Sequence, residues 1–204
     1  VFSFHPVKII TTGEGGMALT GNRKIHEKIQ MLISHGITKN KKNFINKSEG
    51  DWYYEQTDLG FNYRMNDIQA SLGISQLNRI NKNIKRRHEI ANIYFRELKN
   101  LPIILPQQDS DAYSSFHLFI IRVQIKNVDQ SHKQIFKSLR RKGINVNLHY
   151  IPIYLHPYHK NRYNKKEFLN ANDYYNSAIS IPMYPSIKNR EIKQVISCLK
   201  KVII

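Results

Sequence analysis

Between Asn66 and Asn100 apolar side chains return at helical spacing: Ile68, Leu72, Leu77, Ile80 and Ile84, then Ile90, Tyr94 and Leu98. Residues three and four apart share one face of a helix, so the pattern predicts one long helix with a continuous apolar stripe. A helix of that length cannot bury its stripe in a single small core, which points to a bridge between two domains. The expected division is a first domain over residues 1–80 and a second over 81–204.

The two flanks read differently. Before the long helix, Val1–Phe4 reads as a strand end broken by His5-Pro6. Thr11-Thr12-Gly13-Glu14-Gly15-Gly16 is a tight turn, because its glycines supply the backbone angles that turns require. A short strand is expected at 17–20. Asn22 then caps a helix running to about Ser34, with Ile25, Ile29, Leu32 and Ile33 on its inner face. Residues 36–60 are polar and unpatterned and predict a long loop, a feature that inside a domain is usually functional or mobile. After the long helix, strands are expected over 116–125 and 144–149, with a helix over 131–141 between them. An aromatic, proline-marked loop over 150–163 and helices over 168–179 and 189–202 complete a compact α+β domain.

Composition narrows the class. No apolar run approaches the roughly 18 residues that a membrane helix needs. The lone Cys198 excludes an internal disulfide, suits a reducing cytoplasm, and falls on an apolar-periodic helix where an inert packed thiol is expected. The formal net charge of +17 raises the question of nucleic acid. The lysines, however, are spread over nearly every segment, and the densest group, Lys39, Lys41, Lys42 and Lys47, lies in the polar loop. Neither nucleic-acid nor membrane binding is expected. Val1 begins inside an expected strand with no targeting segment before it, and the chain reads as a fragment lacking its N-terminal part.

The segment Ser3-Phe4-His5-Pro6-Val7-Lys8-Ile9-Ile10 carries the chemistry. Lys8 sits among Phe2, Phe4, Val7, Ile9 and Ile10, immediately before the glycine turn. Burial there would depress its pKa, as a lysine that bonds a carbonyl or moves a proton requires. The Ser3 hydroxyl, close before it, can hold a phosphate oxygen.

Here the sequence resembles the DegT/DnrJ family of pyridoxal-phosphate (PLP)-dependent sugar-nucleotide aminotransferases. Their motif is Ser-Phe, three residues, the cofactor lysine, and a Gly-Glu-Gly-Gly turn. The resemblance continues in Ser34-His35-Gly36, in Gly60-Phe61-Asn62-Tyr63-Arg64-Met65-Asn66-Asp67-Ile68-Gln69-Ala70 and in His149-Tyr150. It implies an α/β architecture, the C-terminal part of a fold-type I PLP-dependent transferase. The end of the large, PLP-binding domain would be followed by a small α+β domain. A related dehydratase branch carries histidine in place of the cofactor lysine, so Lys8 favours amino transfer.

Carried over by resemblance, Lys8 holds pyridoxal 5'-phosphate and Ser3 donates to its phosphate. The family's active site lies between two subunits of a homodimer, which makes Asn62 a phosphate ligand from the partner, with Arg64 close by. A turn or helix-cap role for Asn62 stands beside that reading. His149 and Tyr150 face the sugar-nucleotide in the resemblance; the end of a buried strand is their competing role. His35 and His117 are expected to be structural, and Glu14 a turn acid without chemistry. Phe4-His5-Pro6-Val7-Lys8 with Ile10-Thr11-Thr12, and His149-Tyr150-Ile151-Pro152-Ile153-Tyr154, resemble the branch that aminates C4 of a UDP-4-keto-6-deoxy-N-acetylhexosamine on the way to pseudaminic acid. The implied partners are a UDP-linked keto-sugar and glutamate, and part of the positive charge would serve these anions. No segment matches the acidic partner of the pyridine nitrogen or the ring-stacking group, which the family places N-terminal to the lysine. Three other readings compete: a transaminase acting on a GDP- or dTDP-linked 4-keto sugar, an inactive truncated transaminase, and a basic nucleic-acid-binding module.

Overall fold

The computed structural model describes residues 1–159 and 162–203. The chain forms two compact units, Val1–Ile80 and Asn81–Ile204.

In the first unit, β1 (Phe2–Ser3) pairs antiparallel with β2 (Gly16–Met17), Phe2 opposite Met17 and Ser3 opposite Gly16. The strand expected at 17–20 is thus reduced to a two-residue clasp. Helix α1 (Arg23–Leu32) starts where expected, the Asn22 side chain accepting from the Lys24 and Ile25 amides. Its inner face is thinly covered: Ile29, Leu32 and Ile33 are half-buried and Ile25 is exposed. The segment expected as an unpatterned loop contains a short ladder, β3 (Ile37–Thr38) against β4 (Glu55–Gln56). A carboxylate organises the excursion between those strands. Buried Glu55 accepts the amides of Ile45 at 2.6 Å and Asn46 at 2.8 Å and the Tyr53 hydroxyl at 2.9 Å. The Ile45 amide above all, with the Asn46 amide and the Tyr53 hydroxyl, holds the Glu55 carboxyl below the usual range against the opposing effect of burial.

The long helix is two helices. Helix α2 (Asp67–Leu77) opens with a capping box between Asn66 and Gln69, and α3 (Ile80–Leu98) begins a new helix. At the break the Arg79 amide bonds to the Gln76 carbonyl, tightening the last turn and ending the ladder. The apolar spacing runs through the break almost unchanged, which is why periodicity alone reads one helix.

The second unit holds the apolar core. Three antiparallel strands, in the order β5 (Ile103–Ile104), β6 (Phe119–Val123), β7 (Ala178–Ile181), pack with α3, α4 (His132–Arg141) and α6 (Asn189–Ile203) around Ile90, Tyr94, Phe119, Ile121, Leu139 and Leu199. Along β6 Phe119, Ile121 and Val123 are buried while Ile120 and Arg122 take the other face, the period-two pattern of a half-covered strand. Helix α5 (Leu169–Ser177) lies against β6. Cys198 packs beside the core, half-buried.

Three expectations need correction here. The strand expected over 116–125 is shorter, because Phe116 turns at φ 44° and residues 125–127 form a 3-10 turn. The segment 144–149 is no strand; Asn147 alone bridges Ser180. The helix expected over 168–179 ends at Ser177, and residues 178–181 become β7. All four residues of β7 are buried, so no alternation marked them as a strand. In the aromatic loop, residues 153–155 and 157–159 form 3-10 turns, while residues 160 and 161 of that expected loop lie outside the described residues.

Buried Arg87 braces this unit from α3. Its Nη1 donates to the carbonyls of Phe116 at 2.9 Å, His117 at 3.3 Å and Met183 at 2.9 Å. Burial lowers the guanidinium pKa from its ordinary value, and the three carbonyl dipoles are the partners that offset the buried charge.

Candidate active site

Lys8 stands at the tip of a closed loop. At the loop's base the Phe4 amide donates to Gly15 O at 2.9 Å. The Phe4 carbonyl accepts both the Thr12 amide at 3.1 Å and the Thr11 hydroxyl at 2.9 Å. The Lys8 amide donates to His5 O at 2.9 Å, folding the intervening residues into a turn. Lys8 is half-buried between Val7, which is exposed, and Ile9, so the expected burial is partial. Among the described residues its amine enters no hydrogen bond or ion pair, so no protein group neutralises it.

Threonine closes the loop as much as glycine does. Thr12 is buried and donates its hydroxyl to Glu14 O at 2.7 Å, and Gly13 N–H donates to the Thr11 hydroxyl at 2.9 Å. Sequence reasoning credited the turn to glycine alone. The signal for the threonines was their place directly before it, where a hydroxyl competes for backbone groups. Gly15, at φ 151°, has no room for a side chain: a Cβ there would lie 2.4 Å from Thr12 Oγ1. Glu14 itself is exposed, 3.8 Å from His5 Nε2. The Ser3 hydroxyl is exposed and only weakly engaged, accepting the His5 amide at 3.4 Å. Its O–H is left to donate.

The other two motifs of the first unit lean on one another. Ser34-His35-Gly36 and Gly60–Tyr63 form a backbone clasp, with His35 N–H to Phe61 O at 3.0 Å, Phe61 N–H to Leu32 O at 2.8 Å and Tyr63 N–H to Ile33 O at 3.0 Å. His35 and Gly36 both adopt positive φ to make the turn. A Cβ at Gly36 would fall 1.9 Å from Asp58 O, and one at Gly60 2.2 Å from Gly36 N. The exposed His35 serves here through its backbone, with its carbonyl accepting from Gln56. The clasp delivers Asn62 to the surface in a bridge with Ser34. There Arg64 Nε donates to Asn62 Oδ1 at 2.9 Å. With its carbonyl oxygen so occupied, the Asn62 amide presents its NH₂, and beside it the Arg64 guanidinium retains further donors. Both are donor groups, suited to an anion.

Helix α2 then joins this motif to the Lys8 loop. Gly73 faces Thr12 so closely that a Cβ would meet Thr12 Cγ2 at 2.9 Å, and the Met65 methyl approaches the Gly15 position. The motifs at 3–16, 34–36 and 60–70 are therefore parts of one substructure. His149 and Tyr150 belong to the second unit. His149 Nδ1 lies 2.7 Å from the Ser180 hydroxyl and its carbonyl accepts from Tyr174 at 3.4 Å, while Tyr150 is exposed and meets the His149 ring edge to face. Neither ends a strand, so the competing strand-end role is removed. The described residues hold no group of three side chains placed to bind a metal, and no helix is long and apolar enough to cross a membrane.

The model of the DegT/DnrJ/EryC1/StrS aminotransferase family matches residues 1–200. The uncharacterized protein MJ1066 of Methanocaldococcus jannaschii is 39% identical over 99% of this chain and 53% of its own length. The UDP-4-amino-4,6-dideoxy-N-acetyl-beta-L-altrosamine transaminase of Campylobacter jejuni serotype O:2 is 35% identical over 99% of this chain and 52% of its own. Among solved structures, Helicobacter pylori PseC, an aminotransferase involved in the biosynthesis of pseudoaminic acid, superposes with a TM-score of 0.87 at 31% identity. That superposition covers 99% of this chain and 52% of PseC. The chain thus spans about half the length of the curated relatives it matches. The fold is accordingly the C-terminal part of an α/β PLP-dependent transferase.

Proposed function

Because this chain belongs to the DegT/DnrJ/EryC1/StrS aminotransferase family, whose cofactor is pyridoxal 5'-phosphate, we propose that it forms the lysine-bearing portion of a sugar-nucleotide transaminase. The unit Val1–Ile80 is the end of the cofactor-binding large domain, and Asn81–Ile204 is the small domain. The reaction is transfer of an amino group from glutamate to the C4 ketone of a UDP-4-keto-6-deoxy-N-acetylhexosamine, in pseudaminic acid or related surface-glycan sugar synthesis. The observation that carries this reading is the Lys8 loop: an unpaired, half-buried amine on a tip clasped by Phe4, Thr11, Thr12 and Gly15.

The residues present fit the cofactor. The Ser3 hydroxyl and the Asn62 amide NH₂ are donors left over after internal bonding, as a phosphate needs. Asn62 serves the site of the partner subunit in a homodimer, and Arg64 adds positive charge near the substrate. His149 and Tyr150 line the sugar-nucleotide side. When bound, PLP would supply a conjugated ring that takes up the electron pair left on carbon when a C–H proton is removed. Lys8 holds the cofactor through Nζ. With the cofactor and substrate in place, the freed Lys8 Nζ would take a proton from one carbon and return it to another, a general acid–base role contributing on the order of 10²–10⁴-fold. The closed loop fixes where Nζ can reach, so the protein's part is placement and proton control.

The 204-residue chain alone is expected to turn over little or no substrate, because the ring-stacking and pyridine-nitrogen partners have no match within it. The test is an absorbance titration with PLP beside Lys8→Ala, followed by turnover assays with UDP-, GDP- and dTDP-linked 4-keto sugars. A Lys8-dependent cofactor band that responds to glutamate supports the assignment. Turnover that survives Lys8→Ala in the complete enzyme refutes it.

A further inference from the structure

The second unit carries a cavity that neither the family reading nor the Lys8 loop uses. It has a volume of about 550 Å³ and lies where β6, the 3-10 turn at 125–127, the start of α4 and the end of α5 meet. That volume is within the range of small-molecule sites, roughly 300–1,000 Å³. Arg122 projects from the outer face of β6, paired in register with Ile104 on β5 and Ala178 on β7. Its guanidinium is fixed from two sides, by an ion pair with Asp173 through Nη2 and by a bond from Nε to the Ser177 hydroxyl at 3.2 Å. Ser177 is in turn anchored to Asp173 O at 2.7 Å. Unlike the chain's many free lysines, Arg122 is a charge held in one orientation, with its side chain only 32% exposed.

The remaining polar lining supplies a further donor. Asn127 donates its amide to Gln124 Oε1 at 3.2 Å, which leaves the Gln124 NH₂ unspent. His132 Nε2 donates to the Ala178 carbonyl at 2.9 Å, so that N–H is spent on the backbone and is not counted toward the cavity. Lys126 adds a second cation at the rim. Asp173 is the lining's one carboxylate among the described residues and is set against the two cations Arg122 and Lys126, so the lining keeps a net positive charge, with Arg122 Nη1 still free to donate. Ile104 and Ile125 form the apolar wall.

We propose that this cavity is a binding site for a small organic anion, whose phosphate or carboxylate group meets Arg122 and Lys126 and whose apolar part lies on Ile104 and Ile125. The site lies wholly within Asn81–Ile204 and requires neither cofactor nor turnover, so it stands or falls separately from the proposed transaminase activity.

The test is an NMR titration of the 204-residue chain with inorganic phosphate and, separately, with glutarate. Saturable shifts confined to residues 122–132 and 173–178 are expected with at least one probe, and the stronger of the two identifies the anion class. Lys126→Gln, an exposed change that leaves the fold intact, should weaken binding about tenfold, and Arg122→Gln should abolish it. The control is Lys42→Gln, which removes equal charge from an exposed loop elsewhere and should leave binding unchanged. Shifts that never saturate, or affinity that falls equally in Lys126→Gln and Lys42→Gln, would mean general attraction to a basic protein and overturn the site.

Discussion

Gly60→Ala isolates the backbone clasp that delivers Asn62. A Cβ at this position would sit 2.2 Å from Gly36 N, 2.5 Å from Leu32 O and 2.7 Å from the His35 carbonyl carbon. These are backbone atoms, so no side chain can swing away to relieve the overlap. Normal contact is about 3.5–4.0 Å, so the two segments must part by on the order of 1 Å. That separation stretches the three amide–carbonyl bonds between residues 32–35 and 61–63. At a net of about 0.5–1.5 kcal/mol each, their loss amounts to about 1.5–4.5 kcal/mol. Amide hydrogen exchange at His35, Phe61 and Tyr63 should therefore quicken by roughly 10- to 10³-fold, at about 1.4 kcal/mol per decade. Gly21→Ala is the matched control, because a Cβ there has nothing within 4 Å. If these three amides exchange in Gly60→Ala within threefold of the wild type, or at unstructured-chain rates in the wild type itself, the clasp does not exist as described.

Three further outcomes are expected. Arg87→Met should destabilise the second unit by about 2–4 kcal/mol in urea, since the carbonyls of Phe116, His117 and Met183 lose their shared donor; an unchanged midpoint refutes the brace. The Glu55 carboxyl is held below its ordinary value, so its contribution is complete above the unfolded-state value and is lost as pH falls through the folded one. Protonation leaves one full acceptor oxygen where there were two, so either the Ile45 or the Asn46 amide resonance should shift toward its unbonded position as pH falls below the ordinary glutamate range, and one of the two already does so at neutral pH in Glu55→Gln. Tyr94→Phe should cost about 1 kcal/mol through the lost bond to Pro182 O, read from the same urea midpoint, while the ring's packing on Phe119 persists.

Much of the local order follows from residues a few places apart. Asn22 caps α1 and Asn66 with Gln69 caps α2, because a short polar side chain beside free amides has one favourable arrangement. The Lys8 motif and its family resemblance were legible for a similar reason: the chemistry lies in contiguous residues. What the sequence could not express was the reach of the distant partner. Ala178 and Ile179 of β7 read as the tail of a helix because both faces of the strand are buried, and burial on both sides erases the alternation that marks a strand. The helix break at Asn78–Arg79 left no trace because the apolar spacing passes over it. Gly36 and Gly60 stand in two separate motifs of the sequence, but nothing in either says that their backbones come within reach of one another. Arg87 carried no sequence signal, since its partners are carbonyls, which every residue has. Sequence thus determined the capped ends, the chemical motifs and the family; tertiary structure decided which backbones lie against which, because that depends on contacts between residues far apart in the chain.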